Sequence, residues 1–174
     1  MNIDVQPWEL DKREVEQKWQ GWNERSIVSH AGHFVPARNE VVAFHRPQKP
    51  MSELRVALAS SGGVYVSGQR PFDMESRAGD DSVRWIPADV ASKDLRFAHD
   101  HYDHTDADQD PNCMFPIDRL RELAADGVIG SVSPLHLGFM GFVPDPSRLM
   151  DEIAPEVAAR LKNIDVDAVV ISPG

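Results

Sequence analysis

The sequence contains a single cysteine, Cys113, among its 174 residues. One cysteine excludes an intrachain disulfide, and it excludes any zinc or iron–sulfur site that needs several cysteines from this chain alone. No stretch approaches the roughly 18 consecutive apolar residues of a membrane-spanning helix. The first residues also lack the basic start and apolar core of a secretion signal. These absences favour a cytoplasmic protein without a membrane partner.

The charge is one-sided, with 18 basic against 28 acidic residues and a formal net charge of −10. No cluster of Lys or Arg stands out from this acidic background. Nucleic acids and anionic membranes are bound largely through basic patches, so the composition argues against both as partners. The 41% of hydrophobic and 26% of charged residues are typical of a globular protein, and the length predicts one domain with a real core.

The chain divides into an N-terminal helix and extended arm, residues 1–50, and an α/β domain, residues 51–174. In the arm, residues 7–20 are expected to form an amphipathic helix. Its apolar stripe consists of Trp8, Val15, Trp19 and Trp22. This stripe covers either the chain's own domain or a partner subunit, where aromatic residues are enriched.

The most strongly predicted element is a helix at residues 116–126. Pro116 suits a first turn, Asp118 lies near the positive helix start, and Gly127 can end the helix in a left-handed conformation. The three- and four-residue spacing predicts one buried face, made of Ile117, Leu120, Leu123 and Ala124. Arg119, Arg121, Glu122 and Asp126 are expected to be solvated.

Short β-prone runs alternate with helical patterns from residue 55 onwards. Strands are expected at residues 55–59, 82–86, 128–133 and 166–171, a close-packed loop at 135–143, and a second helix after Asp145 or Ser147 that Pro155 kinks. The glycine pair Gly62-Gly63 predicts a turn rather than a phosphate site. The alternation predicts an α/β fold, doubly wound around a mainly parallel sheet. The run at 166–171 is typical of a buried parallel strand, with an edge strand as the alternative, and the domain is expected to be incomplete because the chain stops directly after it.

The polar segment at residues 98–113 carries the side chains most suited to chemistry. His99, His101, Asp103 and His104 match HxHxDH, the metal-binding signature of the metallo-β-lactamase family. Histidines and an aspartate in this pattern can hold two zinc ions that activate a water for hydrolysis. The double glycine that usually follows is replaced by Thr105-Asp106, and His136 is the only histidine further along the chain. A dinuclear metallo-hydrolase is therefore kept as an alternative.

A second resemblance covers far more of the chain. It rests on LRVALASSGGV, on His99 with Tyr102-Asp103, on DQDPNCMFPIDRLRELAADGVIG, on Leu137-Gly138-Phe139-Met140-Gly141 and on the final VDAVVISPG. In this order and spacing, the chain from about residue 46 resembles the selenoprotein B family of glycine, sarcosine, betaine and D-proline reductases, with particular similarity to the D-proline reductases. Residues 1–45 lie outside the resemblance.

The resemblance implies reductive cleavage of a C–N bond in an amino acid or amine. In that family a selenocysteine or cysteine follows the last strand at once, with a second cysteine after two residues, and a dithiol carrier reduces the resulting bridge. A partner subunit of the D-proline reductases carries a pyruvoyl group. We therefore expect the reading frame to be cut at a UGA selenocysteine codon after Gly174, the chain alone to be inactive, and the subunit to work in a hetero- or homo-oligomer.

The nucleophile is expected after Gly174, so the residues present are candidates for the pocket around it. These candidates are His99, Tyr102, Asp103, Asp110, Asn112, Cys113, His136, Met140 and Gly141. Cys113 precedes a helix start, which can lower a thiol pKa, but lone cysteines are more often small buried residues. From a different class, the alternative is a non-catalytic α/β subunit for binding or assembly.

Overall fold

The structure is a computed structural model that describes residues 46–173. Its strands are β1 (Arg55–Ser60), β2 (Val64–Val66), β3 (Arg84–Pro87), β4 (Leu95–Phe97), β5 (Ser131–Val132), β6 (Leu135–Gly138) and β7 (Ala168–Ser172). Its α-helices are α1 (Thr105–Gln109), α2 (Ile117–Ala125) and α3 (Ala154–Asn163). The helix expected at residues 7–20 lies outside the described part of the chain.

The main sheet is built around β1. On one side β1 pairs in parallel with β5 and then β6, which follow each other in the chain and are separated by Ser133 and Pro134. On the other side it pairs in parallel with β7, and β3 joins β6 in the antiparallel direction. A separate antiparallel pair is formed by β2 and β4. The predicted α/β fold with a mainly parallel sheet is confirmed.

The two faces of β1 are covered by different helices. Val56 and Leu58 belong to a cluster that includes Ile117 and Leu120 of α2. Ala57 and Ala59 instead cluster with Leu161 of α3. The sequence of a strand that is buried on both faces is a continuous run of apolar residues, and β1 has such a sequence. The sheet is therefore doubly wound, as the alternation of elements predicted.

The predicted end of α2 is confirmed in detail. Gly127 adopts a φ of 71°, and its N–H donates to the carbonyl of Ala124 at 3.2 Å. The next N–H, that of Val128, donates to the carbonyl of Leu123 at 2.9 Å. These two bonds form a Schellman motif, which satisfies carbonyl groups that the last helical turn would leave unpaired.

Two side chains of α2 differ from the prediction. Leu123 was expected in the core but is 40% exposed, because it lies in the last turn, beyond the part of the helix that packs on the sheet. Arg121 was expected in solvent but is half-buried. Its guanidinium donates to the carbonyls of Ala88 at 2.6 Å and Val90 at 2.5 Å, which fixes the loop after β3.

The predicted disturbance by Pro155 is present at the start of α3. A π-helical turn, Leu149–Ile153, leads directly into α3, and Pro155 occupies the first turn of α3. Residues 147–163 are helical without a break, so Pro155 lies inside this segment and not at a free helix start. The π turn, in which the N–H of Ala154 donates to the carbonyl of Leu149, is the irregularity that directly precedes the proline.

The strand predictions need correction at three places along the chain. Leu135–Gly138 was expected as loop but forms β6, because its backbone pairs with β1 and β3 despite the glycine. The antiparallel pair of β2 and β4 was not predicted. The run at 166–171 forms the parallel strand β7 but is not buried: Val169, Val170 and Ile171 are 38%, 49% and 65% exposed. Within residues 46–173, β7 pairs with β1 alone and is an edge strand.

None of the helices in residues 46–173 has the length and apolar character that crossing a membrane requires.

Candidate functional site

The carboxyl ends of β1, β6 and β7 meet at one edge of the sheet. The N–H of Ser61 donates to the carbonyl of Ser172 at 3.1 Å, which ties the end of β1 to the end of β7. On the other side, Phe139 N–H donates to Ser60 O at 2.9 Å and Gly141 N–H donates to Ser61 O at 2.8 Å. In open α/β sheets this edge is where ligands bind.

The turn after β1 requires the glycine at position 63 and is crowded at Gly62. Gly63 has a φ of 71°, and a Cβ placed there would lie 2.2 Å from the carbonyl oxygen of Ala98. A Cβ on Gly62 would lie 2.8 Å from Met114 Cε and 2.9 Å from Tyr102 Oη. The predicted turn is confirmed, and its tightness comes from the close approach of the segment that follows β4.

That segment, residues 98–104, is called the histidine loop here. Tyr102 anchors it to the turn, since its hydroxyl donates to the carbonyl of Gly62 at 2.8 Å. Burial, and then the nearby Asp108 and Cys113, raise the pKa of Tyr102 to about 12. The hydroxyl therefore stays protonated at neutral pH and keeps its role as a donor.

His99 is the buried histidine of the loop, with 5% of its surface exposed. Its Nδ1 accepts a hydrogen bond from the backbone N–H of His101 at 3.1 Å. Its ring meets the ring of Tyr102 edge to face at 4.8 Å between centroids. Burial, and then the charge of His101, lower the pKa of His99 to about 4. The imidazole is therefore neutral near pH 7 and carries its proton on Nε2.

The predicted HxHxDH metal set is only partly brought together. His99 and His101 group with Asp100, with one ligand atom from each within 4.8 Å of the others. Asp103 instead lies just before α1 and accepts from Thr105 N at 3.0 Å and Thr105 Oγ1 at 2.6 Å. His104 pairs with a carboxylate on α1, that of Asp108, at 2.8 Å.

The hydrogen bonding of the remaining group also disfavours a metal ion. Nδ1 of His99 already accepts an N–H, and a metal at that nitrogen would have to displace it. Nδ1 of His101 lies 2.6 Å from Asp100 Oδ1, and the His101 ring stacks on Phe142 at 3.9 Å. The geometry thus favours a packed cluster of rings over the predicted dinuclear site.

Asp110 and Asn112 brace the start of α2. Asp110 Oδ1 accepts from the backbone N–H and the side-chain amide of Asn112, both at 3.0 Å. Asn112 Oδ1 in turn accepts from the backbone N–H of Asp118 at 3.0 Å. These contacts give both residues a structural role, which agrees with the capping function of such side chains.

Cys113 is exposed and lies in a single 3₁₀ turn before α2. Its pKa is raised by partial loss of solvation at the sulfur and then by the negative charges of Asp110 and Asp106. A raised pKa leaves less thiolate at neutral pH, and the thiolate is the nucleophilic form. These surroundings do not favour Cys113 as a nucleophile.

His136 belongs to the core rather than to the strand edge. It is fully buried in β6, and its Nδ1 accepts from the backbone N–H of Leu58 at 2.9 Å. Burial, and then the charge of Arg121, lower its pKa to about 4. The other two candidates lie at the edge of the sheet. Met140 is buried and forms an isolated antiparallel β-bridge with Gly62, and the N–H of Gly141 donates to the carbonyl of Ser61.

Two residues at this edge were missed from the sequence. Asp100 contacts His101, and Phe142 stacks on the same ring from across the sheet edge. The glycines at 138 and 141 were the available signal for Phe142, because they indicated that this stretch packs closely against another segment. Nothing local distinguishes Asp100 from the other aspartates of the loop.

Known proteins resemble the chain over most of its length. The family model for glycine/sarcosine/betaine reductase selenoprotein B matches residues 30–173. The chain belongs to this selenoprotein B family. The match covers β1, the histidine loop, α2 and β7, so the site at the strand ends lies inside the part shared with the family. No solved structure matches the chain.

Curated relatives of this selenoprotein B chain are components of reductases. It is 40% identical to D-proline reductase subunit gamma of Acetoanaerobium sticklandii, over 72% of this chain and 51% of the relative. It is 31% identical to glycine reductase complex component B subunit gamma of Symbiobacterium thermophilum, over 72% of this chain and 30% of the relative. With betaine reductase complex component B subunit beta of Peptoclostridium acidaminophilum the identity is 27%, over 78% and 31%. The chain therefore spans about half of the length of the first of these relatives and less than a third of the other two.

Proposed function

We propose that this chain is part of a reductase subunit that cleaves a C–N bond of an amino acid or amine, using a selenocysteine or cysteine that follows β7. The observation that carries the proposal is the bond between Ser61 N–H and Ser172 O. This bond holds the end of β7 against the turn after β1. A residue that follows β7 after Pro173 and Gly174 would then lie near Gly62 and the histidine loop.

The proposed reaction is a two-electron reduction. The selenolate or thiolate attacks the α-carbon, and the C–N bond breaks with its electron pair going to nitrogen, which takes up a proton. A neighbouring thiolate then attacks the selenium or sulfur, the bond to carbon breaks, and carbon takes up a proton. A dithiol carrier reduces the resulting bridge and supplies the two electrons.

In this proposal a pyruvoyl group on a partner subunit would activate the substrate amine. The residues of this chain fit that division of labour, because positions 60–69, 97–118 and 135–147 contain no lysine that could bind the amine or carbonyl covalently. The chain would supply the wall of the pocket through Tyr102, His99 and the turn after β1. A cytoplasmic location is part of the same proposal.

The test is to read the gene past the codon for Gly174 and to weigh the native protein. We expect an in-frame UGA or cysteine codon, a further cysteine after a short spacer, and a native mass above the 19.4 kDa of this sequence. The reductase assembled from that longer subunit and its partner should reduce D-proline, glycine, sarcosine or betaine with a dithiol. A UAA or UAG codon, a native mass of 19.4 kDa and no reduction would instead support a binding or assembly subunit.

A further inference from the structure

His99 presents a hydrogen-bond donor that is not used within residues 46–173. Because Nδ1 accepts the N–H of His101, the neutral ring carries its hydrogen on Nε2. The described part of the chain provides no hydrogen-bond partner for that Nε2. The unpartnered Nε2 of His136 is sealed from solvent, whereas Nε2 of His99 is not. A polar group left open in an otherwise buried ring can receive a ligand.

The ring of His99 lies beside the strand ends. A Cβ built on Gly63 would come within 3.3 Å of the Cβ of His99, and the N–H of Ala98 donates to the carbonyl of Gly63 at 3.0 Å. Two residues before Gly63, Ser61 is bonded to Ser172 at the end of β7. His99 is therefore held by the backbone at the edge where the proposed nucleophile would enter.

The segments that form this edge are acidic, and Arg84, which lies opposite Gly138 at the end of β6, has its guanidinium engaged by Asp80, Ser82 and the carbonyls of Arg70 and Pro71. Positions 60–69, 97–118 and 135–147 contain no Lys or Arg, and aspartates are their only charged side chains. An ammonium group is favoured in such surroundings, because opposite charges attract. The Nε2–H of His99 is a neutral donor whose tautomer is fixed by the N–H of His101, and such a donor can bind a carboxylate.

We propose that His99 binds the carboxylate of a zwitterionic amino-acid substrate through Nε2–H. The backbone N–H of His101 fixes the tautomer that makes this donation available. The inference rests on the proposed function and names the residue of this chain that would hold the substrate carboxylate.

Two variants distinguish the contribution of Nδ1 of His99 from that of Nε2. In His99→Asn the amide oxygen can replace Nδ1 as acceptor for His101 N–H, but no donor reaches the position of Nε2. In His99→Gln the longer side chain can place an amide N–H near the position of Nε2, but the contact to His101 is lost. Both are made in the complete subunit and assayed in the assembled reductase with D-proline as substrate and D-prolinamide as competitive inhibitor.

We expect His99→Asn to lower kcat/KM for D-proline by about tenfold to a hundredfold, as for the loss of a hydrogen bond to a charged group. The inhibition constant of D-prolinamide, which lacks the carboxylate, should change by less than about twofold. His99→Gln should recover part of the loss. The proposal is overturned if His99→Asn stays within about twofold of wild type for D-proline, or if both ligands weaken by the same factor. It is also overturned if the two variants are equally impaired while melting at the wild-type temperature.

A measurement on the chain itself needs no activity. Long-range ¹H–¹⁵N correlation spectra at pH 7.5 should show His99 with its hydrogen on Nε2, and a hydrogen on Nδ1 would overturn the proposal directly. A wild-type assembly that reduces none of D-proline, glycine, sarcosine and betaine would refute the proposed function and the carboxylate assignment with it. The tautomer would still show whether the geometry of the loop is right.

Discussion

The buried imidazole of His136 should make folding stability depend on pH well above the range in which carboxylates titrate. Its pKa falls from an ordinary value of 6.5 to about 4 in the folded protein. Above pH 6.5 the imidazole is neutral in both states and has no effect. Below pH 6.5, His136 is protonated in the unfolded chain but stays neutral in the folded protein, so stability is lost as the pH falls toward 4.

The magnitude follows from these two pKa values. At pH 5 the cost is about 2 kcal/mol, and it approaches about 3 kcal/mol below pH 4, since each pKa unit corresponds to ~1.36 kcal/mol. His99 has the same direction and a similar value, so it adds a comparable loss in the same range. Asp80 and Asp118 are among the aspartates whose pKa is lowered in the folded protein. Their protonation adds a further loss of stability at lower pH.

The assay is urea unfolding followed by circular dichroism at pH 8 and pH 5. We expect wild type to lose about 3–4 kcal/mol between these pH values through the two histidines. In His136→Asn the amide oxygen can accept the N–H of Leu58 but does not titrate, so the loss should shrink by about 2 kcal/mol. An unchanged pH dependence in His136→Asn would refute the assignment of a buried neutral imidazole.

Three further predictions concern stability and are checked by urea unfolding at pH 8. Gly63→Ala should destabilise the protein by more than about 1 kcal/mol, because the new Cβ would meet the carbonyl of Ala98. Gly68→Ala, also at positive φ but in open space, should cost less, and equal losses would contradict the steric explanation. Tyr102→Phe should cost about 1 kcal/mol through the lost bond to Gly62 O, and a neutral result would show that this bond does not anchor the histidine loop. Ile171→Ser on exposed β7 should change the free energy of unfolding of this chain by less than about 0.5 kcal/mol, whereas Leu58→Ala in buried β1 should cost about 2–5 kcal/mol. A large loss at Ile171 would mean that β7 is covered.

The features that could be predicted from the sequence are those that neighbouring residues specify. The helix α2 follows from Pro116, Gly127 and the spacing of Ile117 and Leu120, all of which act within a few residues. β1 follows in the same way from a single apolar run that ends in two glycines.

The features that were missed depend on distant segments. β6 contains a glycine and reads as loop, and only its pairing with β1 and β3 makes it a strand. The exposure of β7 depends on what covers it, which its own apolar sequence does not contain. At the site, the HxHxDH pattern suggested a shared metal, whereas Asp103 and His104 are engaged by α1, a helix that was not predicted.

The interruption between β5 and β6 limits which changes of length the sheet can absorb. Residue 131 of β5 lies opposite residue 55 of β1, and residue 137 of β6 lies opposite residue 59 of β1. The chain advances six residues from β5 to β6 while β1 advances four, so the segment from β5 to β6 contains two extra residues. Side chains alternate between faces with a period of two, so an excess of two preserves the facing of Leu137 toward α3. Removing two residues from 133–136 could leave that facing intact, whereas removing one would reverse it. The strand can therefore change length in evolution by even steps far more readily than by odd ones.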